Sequence, residues 1–284
     1  MIGSDFEVFM RNTKGHPLPV PNHLDIGSKN GQHVHLSGGT MHRDNVMVEL
    51  CPDPSDDAEE LATRCQSLLV QASEYMSCMM EEEVTLACEP TVTFETEALR
   101  GRYAQEIGCD RDYLAQAGDV ISRLPLNAVA LGNVRCGAGH IHISYGVTNK
   151  VPVPMAVALC DVLLGALEIT GGKQGSRRKF YGMHGLYRPK TYGNVLGVEY
   201  RTTSNLWLRS HTSSLRMLTN ARAVEHLLVH GDTDQLHAGL HACYPLVHGD
   251  SLMETEDPEK AQVILQLARD IFSDVEIYTH LTGD

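Results

Sequence analysis

The stretch Gly197-Val-Glu-Tyr-Arg-Thr-Thr-Ser-Asn-Leu-Trp-Leu208 is the most informative part of the chain. Its side chains alternate as they do in a β-strand with one buried face. Val198 and Tyr200 lie on one face. Glu199 and Arg201 lie on the other, where a carboxylate can hold a divalent cation and a guanidinium can grip a phosphate or carboxylate oxygen. The same two charges are also compatible with an ordinary solvated strand face, so the other stretches decide between the two interpretations.

Three further stretches, residues 2–10, 44–50 and 137–144, alternate in the same way. Each places apolar residues on one face and residues able to bind a metal or a phosphate on the other. The alternation assigns Asp44 to the apolar side of its strand. Eight residues lie on the predicted polar face: Asp5, Glu7, Glu49, His140, His142, Ser144, Glu199 and Arg201. The predicted buried face carries Phe6, Val8, Val46, Val48, Leu50, Ile141, Ile143, Val198 and Tyr200.

The four polar faces together would bring several carboxylates close to a single arginine. Like charges gathered in this way raise one another's pKa or require a cation. Two hard divalent ions, bound by carboxylate oxygens and one imidazole, would meet that requirement. Helices predicted at residues 55–80 and 152–169 would cover the apolar face, since an antiparallel sheet can bury one face only. The pattern therefore predicts an α+β fold with a mostly antiparallel sheet.

Composition limits the classes of protein to consider. The chain has 284 residues, of which 42% are hydrophobic and 21% charged, and no repeat or linker divides it, so we expect one domain over residues 1–284. A net charge of −13 without a Lys/Arg run makes nucleic acid an unlikely main partner. The eight cysteines form no Cys-x-x-Cys pair. With no signal peptide and no apolar run of membrane-spanning length, we expect a soluble cytoplasmic protein.

The rest of the chain predicts loops and helices. Residues 11–40 predict a loop with a short hairpin around Val34 and Leu36. Residues 84–95 predict one or two strands, and Asp112–Ala117 predicts a short helical segment. Amphipathic spacing predicts further helices at Ser213–His230, Asp234–Cys243 and Asp257–Phe272.

Two histidine pairs lie outside the predicted polar face. His33 and His35 fall in the loop sequence, either as ordinary loop residues or as substrate-side contacts. His237 and His241 are four residues apart and could bind zinc on a helix. The His-Glu-x-x-His pattern of zinc proteases is absent there.

The motifs occur in a recognisable order. They are Gly3-Ser-Asp-Phe-Glu7, Arg43-Asp-Asn-Val-Met-Val-Glu49, Gly108-Cys-Asp110, Gly139-His-Ile-His-Ile-Ser144, Tyr181-Gly-Met-His-Gly-Leu-Tyr-Arg188 and Gly197–Leu208. In combination they resemble the carboxylate–amine ligases of the glutamine-synthetase-like superfamily, which includes glutamate–cysteine ligase, and most closely the phage-type amidoligase family. The resemblance covers about residues 2–208, and its most specific part is Gly-x-Gly-His-x-His-x-Ser together with Glu-x-Arg.

This resemblance implies a curved, mostly antiparallel sheet with the active site on the concave face and helices on the convex face. It implies metal ligands at Asp5, Glu7, Glu49, His140 and Glu199. It implies contacts to ATP by His142, Ser144, Arg177, Arg178, Arg188 and Arg201. Catalytic roles would belong to Glu199, Arg188 and Arg201, and Arg201 would meet the transferring phosphoryl group.

The implied activity is ATP-dependent formation of an amide or peptide-type bond through an acyl phosphate, with Mg²⁺ or Mn²⁺. The partners would be a small-molecule or peptide carboxylate and an amine, in the cytoplasm or, for a phage-encoded protein, the host cytoplasm. A guanidino or carboxylate phosphotransferase on the same scaffold is the alternative. A zinc hydrolase that uses the His-x-His and a non-catalytic binding protein are further alternatives, and a homo-oligomer is compatible with all of them.

Overall fold

The fold is taken from a computed structural model, which describes residues 1–29, 31–105, 112–116, 119–124, 132–146, 151–248 and 252–281. Its strands are β1 (Ile2–Asn12), β2 (Pro17–Leu18), β3 (Val34–Leu36), β4 (Gly39–Asp44), β5 (Met47–Pro52), β6 (Val84–Ala87), β7 (Thr91–Thr93), β8 (Asp112–Gln116), β9 (Asp119–Leu124), β10 (Val134–Cys136), β11 (Gly139–Gly146), β12 (Leu186–Tyr192) and β13 (Val195–Tyr200).

One large sheet dominates the described part of the chain. Its strand order is β3-β4-β5-β1-β11-β13-β12-β8-β9, while β2 and β6 also pair with β1, and β7 and β10 form a separate two-stranded sheet. The pairings between these strands are antiparallel. The prediction of an α+β fold with a mostly antiparallel sheet is therefore confirmed.

Several helices pack against one face of this sheet. The α-helices of the described residues are α1 (Ala58–Met80), α2 (Arg102–Gln105), α3 (Val153–Cys160), α4 (Ala166–Thr170), α5 (Arg177–Phe180), α6 (His211–His230), α7 (Thr233–His248), α8 (Leu252–Thr255) and α9 (Pro258–Ile271). Helix α1 begins after Asp57, whose carboxylate accepts hydrogen bonds from the backbone amides of Glu59 and Glu60. The predicted helices at 213–230, 234–243 and 257–272 correspond to α6, α7 and α9.

The core lies between the helices and the apolar side of the strands. Ile141, Ile143, Val198 and Tyr200 are fully buried there. Phe6 belongs to the same cluster, together with apolar side chains of α1, α3, α6 and α9. The prediction of which strand face is buried is confirmed for these residues, so the polar side chains between them lie on the opposite face.

A single apolar helical stretch runs from α3 through a π-helical turn (Asp161–Gly165) into α4. The stretch Val153–Thr170 is long and apolar enough to cross a membrane, but most of it is buried inside the fold. That burial is typical of a core helix in a soluble protein. The Asp161 carboxylate, fully buried at the π-turn, accepts hydrogen bonds from Tyr200 Oη at 2.7 Å and from the Gly185 amide at 2.9 Å.

One predicted strand and one predicted helical segment were wrong. The predicted strand at 44–50 is divided by a turn, because Asn45 adopts a left-handed conformation (φ 54°), so Asp44 ends β4 and Met47 begins β5. Asp44 was assigned to the apolar side by alternation along a continuous strand, and that alternation does not extend across the turn. Residues 112–116 form strand β8 instead of a helix, since they pair with β12 and β9. The short hairpin around Val34 and Leu36 is present as β3 and β4.

Two further stretches of sequence carried predictions, residues 84–95 and the Gly108–Asp110 motif. The region 84–95 contains two strands, β6 and β7, as the sequence suggested. The Gly108–Asp110 motif lies outside the described residues.

Candidate functional site

Three residues from three neighbouring strands meet on the polar face of the sheet. Asp5 of β1 is the register partner of His140 of β11, and Glu199 of β13 is the partner of His142. Ligand atoms of Asp5, His140 and Glu199 all lie within 4.8 Å of one another. We call these three residues the triad. Its one imidazole and two carboxylates form a donor set that can hold a metal ion.

His140 turns one ring nitrogen to the carboxylates and the other to a tyrosine. Its Nδ1 lies 2.7 Å from Oδ1 of Asp5 and 3.7 Å from Oε1 of Glu199. Its Nε2 lies 3.2 Å from the hydroxyl of Tyr181. Burial, reinforced by the nearby Arg201 guanidinium, lowers the pKa of His140 to about 4. The imidazole is therefore neutral at pH 7, and Nδ1 is the nitrogen that faces the triad's carboxylates.

Basic side chains surround Glu199. Arg201 donates to Oε1 of Glu199, and its Nε lies 2.7 Å from Oδ1 of Asp112. Arg188 lies 3.0 Å from the same Asp112 oxygen and 3.5 Å from Oε1 of Glu199. Nζ of Lys190 lies 2.6 Å from Oε2 of Glu199. Burial and Asp5 raise the pKa of Glu199, but Arg201 and the histidines outweigh them and lower it to about 2.

Asp5 is the second low-pKa carboxylate of the triad. Burial raises the pKa of Asp5, yet His140 and His142 outweigh it and hold this pKa well below its ordinary value. His142 reaches the same carboxylate, because its Nε2 lies 3.2 Å from Oδ2 of Asp5. Burial lowers the pKa of His142, but Asp5 raises it by more, so the net direction is upward. Both triad carboxylates are thus ionised and ready to bind a cation at neutral pH.

Beside the triad lies a mostly apolar cavity of about 540 Å³. Its lining includes Asp5, His142, Ser144, Tyr192, Pro52 and Pro54. The Tyr192 hydroxyl lies 2.8 Å from Nδ1 of His142. Ser144 donates through its hydroxyl to the carbonyl of Met1. His142 and Ser144 therefore lie next to the triad and at the cavity, where the prediction expected nucleotide contacts.

The second cluster of acids lies towards β4 and β5. Glu7 of β1 is the register partner of Glu49 of β5, and Asp44 acts on both carboxylates. Burial raises the pKa of Glu7 and that of Glu49 well above their ordinary values, and the neighbouring carboxylates raise them further. We call Glu7, Asp44 and Glu49 the acid cluster. In the triad, neighbouring histidines and Arg201 outweigh burial and lower the carboxyl pKa values, whereas in the acid cluster the net direction is upward.

The glycines of the Gly-Ala-Gly-His motif have a packing role. A Cβ added to Gly139 would lie 2.6 Å from the Ser204 carbonyl oxygen and 2.6 Å from Nε1 of Trp207. In the actual chain, Nε1 of Trp207 donates to the Gly139 carbonyl at 3.1 Å. Glycine is therefore needed for β11 to lie against the segment after Arg201, and this close approach places His140 beside Arg201.

The predicted ATP contacts of Arg177 and Arg178 are not supported by their positions. Arg177 is fully buried, and its guanidinium donates to the carbonyls of Gly137, Thr202 and Thr203. Arg178 donates to the Gly182 carbonyl and pairs with the carboxylates of Glu168 and Glu256. Both arginines hold the backbone around the site, because protein acceptors occupy their donor groups.

The two other histidine pairs are also apart from the triad. His237 and His241 line an apolar groove on the helical side, between α3 and α7. Among the described residues, the metal-capable group is the triad, and neither of these histidines belongs to it. His33 stacks on His42 with ring centroids 4.4 Å apart, whereas His35 is exposed.

A comparison with models of known protein families gave no match, and a comparison with curated proteins gave none either. The resemblance to the amidoligases therefore depends on the sequence motifs alone.

Sequence reasoning missed four residues of the site: Tyr181, Asp112, Lys190 and His42. Tyr181 and Lys190 flank the Tyr-Arg motif at Arg188, and alternation along β12 would have put Lys190 on the face of Arg188. Asp112 was missed because its segment was predicted as a helix. His42 was missed because β4 was not recognised as a separate strand.

Proposed function

We propose that the protein is an ATP-dependent carboxylate–amine ligase that uses divalent metal ions. The observation that carries this proposal is the contact of the Arg201 guanidinium with the triad: Arg201 donates to Glu199 and lies 3.1 Å from Nδ1 of His140. A cation site directly beside a buried arginine suits the terminal phosphoryl group of a nucleotide, where negative charge is spread over several oxygens.

The reaction would have two steps. A carboxylate oxygen of the acid substrate attacks the γ-phosphorus of ATP, the bond to the β–γ bridging oxygen breaks, and ADP leaves with that electron pair. The amine substrate then attacks the acyl carbon, the carbon–oxygen bond to phosphate breaks, and the amine loses a proton. The products are an amide, ADP and phosphate. Activation is needed because a free carboxylate is a poor electrophile.

The side chains divide this work by position. Arg201 and Arg188 would neutralise charge on the transferring group, since planar guanidinium groups bind two oxygens at once. The triad would hold one divalent ion, and the acid cluster would hold a second. Mg²⁺ or Mn²⁺ bound there would offset the charge of the phosphate oxygens. The apolar cavity beside His142 and Ser144 has the size and lining to take the nucleotide base.

The same motifs lead us to propose a glutamine-synthetase-like fold. The large antiparallel sheet, with helices on one face and the triad on the other, is compatible with a glutamine-synthetase-like domain. In that domain the polar face would be the concave one. We infer also that the substrates are a small-molecule or peptide carboxylate and an amine. The segments 11–40 and 171–190 would select them, because loops carry specificity on a rigid scaffold.

The test is incubation with ATP, Mg²⁺ and a panel of amino acids and amines, followed by mass spectrometry. We expect a product lighter by one water than the sum of two substrates, together with ADP and phosphate. Arg201→Lys should lower the rate of product formation about 10²–10³-fold. Arg100→Lys is the matched control, because Arg100 is exposed and pairs only locally with Glu97 in the described chain. Release of AMP and pyrophosphate during turnover would contradict the proposal.

A phosphotransferase on the same scaffold is the second candidate, because the contact between Arg201 and the triad would serve phosphoryl transfer equally well. It would form ADP and a phosphorylated product with no amide. Incubation of the acid with ATP labelled at the β–γ bridging oxygen, without amine, detects reversible acyl-phosphate formation in either case. Only the ligase would then form an amide when the amine is added.

A further inference from the structure

Strand β12 carries three alternate residues, Arg188, Lys190 and Tyr192, which we call the β12 row. Alternate residues of a strand share one face and follow one another at about 6.5 Å. Arg188 and Lys190 both lie against the carboxylate of Glu199. Tyr192 lies against His142 and lines the apolar cavity. The β12 row therefore begins beside the triad and ends at the cavity.

The Tyr192 end of the row is fixed by packing. A Cβ added to Gly197 of β13 would lie 2.5 Å from Cε2 of Tyr192, so the absence of a side chain at Gly197 makes room for the ring. The Tyr192 hydroxyl, 2.8 Å from Nδ1 of His142, holds the other end of the same ring. The ring is thus a fixed part of the wall of the cavity in which we place the nucleotide base.

The three basic side chains around Glu199 differ in their access to a ligand. The exposed fraction of the side chain is 2% for Arg201, 11% for Arg188 and 35% for Lys190. Asp112 also pairs with both arginines and so fixes them from a second side. The ammonium of Lys190 is carried on a flexible four-carbon stem. Lys190 is therefore the member of this group that can turn to a bound anion without disturbing the packed arginines.

We propose that Lys190 binds the β-phosphate of the nucleotide, which lies along β12 with its terminal phosphoryl group at the arginines and its base in the cavity. The order of the β12 row matches the order of these parts: a guanidinium beside the triad, an ammonium in the middle and an aromatic wall at the far end. A divalent ion at the triad would offset the charge of Glu199, so Lys190 can contact a phosphate oxygen without leaving that carboxylate unbalanced. The inference rests on the proposed function, because it requires a nucleotide at this face.

The test measures nucleotide affinity without turnover. Full-length protein in saturating Mg²⁺ is titrated with ATP and, separately, with ADP by isothermal titration calorimetry, without acid or amine. We expect Lys190→Met to weaken both nucleotides about tenfold or more and by similar factors, because both contain the β-phosphate and both lose one charge-assisted hydrogen bond. Lys190→Arg should recover most of the affinity, since it restores the positive charge. Lys260→Met is the control, because Lys260 is an exposed lysine of helix α9.

A second titration separates a phosphate contact from support of Glu199. Protein freed of metal is titrated with Mn²⁺ without nucleotide, and free Mn²⁺ is followed by electron paramagnetic resonance. Lys190→Met should bind Mn²⁺ at least as tightly as the parent, because the ammonium no longer competes with the ion for the carboxylate.

Three outcomes would overturn the role of Lys190 and leave the ligase proposal standing. They are weaker Mn²⁺ binding by Lys190→Met, unchanged affinity of this variant for both nucleotides, and a loss of affinity for ATP alone. The last would place Lys190 at the terminal phosphoryl group instead. A parent protein that binds neither nucleotide would contradict the ligase proposal itself, and this inference with it.

Discussion

The triad and the acid cluster lie on one face of one sheet, yet their electrostatics are opposite. In the triad, the pKa of Asp5 and the pKa of Glu199 are both below their ordinary values, because histidines and arginines lie against them. In the acid cluster, the pKa of Glu7 and that of Glu49 are both raised. Burial is similar in the two regions, so the neighbouring charges make the difference.

The comparison separates two ways to prepare a cation site. The triad is held ionised by its own protein partners and is preorganised without an ion. In the acid cluster, Arg201 lowers the pKa of Glu7, and Lys29 and Arg201 lower that of Glu49, but burial and the neighbouring acids outweigh them. We therefore expect the acid cluster to respond more strongly than the triad to removal of metal. Four substitutions test this difference, from the largest expected effect to the smallest.

Arg201→Lys should have the largest effect, a loss of about 10²–10³-fold in the rate of ADP formation. An ammonium group cannot reach both Glu199 and Asp112 as the guanidinium does. The rate is measured with saturating ATP and the acid identified by the substrate panel, with Arg100→Lys as control. A lysine variant that retains most of the activity would show that Arg201 supports the triad only through its charge.

Glu199→Gln should lower the free energy of unfolding of the metal-free protein at pH 7 by on the order of 3 kcal/mol. The pKa of Glu199 is lowered to about 2 from 4.5, so its ionised form stabilises the folded state. That contribution is complete above pH 4.5 and is lost as the pH falls towards 2. Urea denaturation in a chelator at several pH values measures it, and equal stabilities at pH 7 would contradict the charge balance described for the triad.

Glu7→Gln should act in the opposite direction and raise the free energy of unfolding at pH 7. Because the pKa of Glu7 is raised above 4.5, ionisation destabilises the folded, metal-free protein. The gain should be absent below pH 4.5 and should grow as the pH rises through the interval up to the raised pKa. Saturating Mn²⁺ should reverse the order of the two proteins, and a destabilised Glu7→Gln in chelator would remove the distinction between the two regions.

Tyr181→Phe should have the smallest effect, a loss of a few-fold in Mn²⁺ affinity at the triad, as expected for one hydrogen bond of about 1 kcal/mol. The hydroxyl fixes Nε2 of His140 and leaves Nδ1 for the ion. Electron paramagnetic resonance titration measures the affinity. Tyr75→Phe on helix α1 is the control, because it lies on the other face of the sheet. Equal affinities for the Tyr181 and Tyr75 variants would show that the hydroxyl does not orient the imidazole.

Much of the triad could be predicted because alternation within one strand is a local property. Asp5, His140 and Glu199 each project from an uninterrupted strand, so parity alone assigned their faces. The acid cluster was harder to predict, because its residues Asp44 and Glu49 lie on two different strands, β4 and β5. The alternation of side chains along one strand does not determine the face of a residue on the other. The left-handed turn at Asn45 separates them, and no period-2 pattern extends across a turn.

The arginines around the site show a second limit of prediction from the sequence. The resemblance to the ligases implied that Arg177 and Arg178 contact ATP. Whether a guanidinium faces a ligand or the carbonyls of its own chain depends on contacts between distant segments, such as that of Arg177 with Thr202 and Thr203. Asp112 shows the same limit, because its strand forms only by pairing with β12.

The position of β1 in the sheet has a consequence for how the protein is made. β1 can pair with β5 once residue 52 has been made and with β6 at Phe9–Asn12 once residue 87 has been made, but its Ile2–Phe6 part waits for β11, which starts at residue 139. The partner of β11, strand β13, follows only at residue 195. At ribosomal speeds this leaves an open strand edge for on the order of 10 s or more. Fragments that end before β11 should therefore aggregate through that edge, and a nascent chain at this stage should be a target for chaperones.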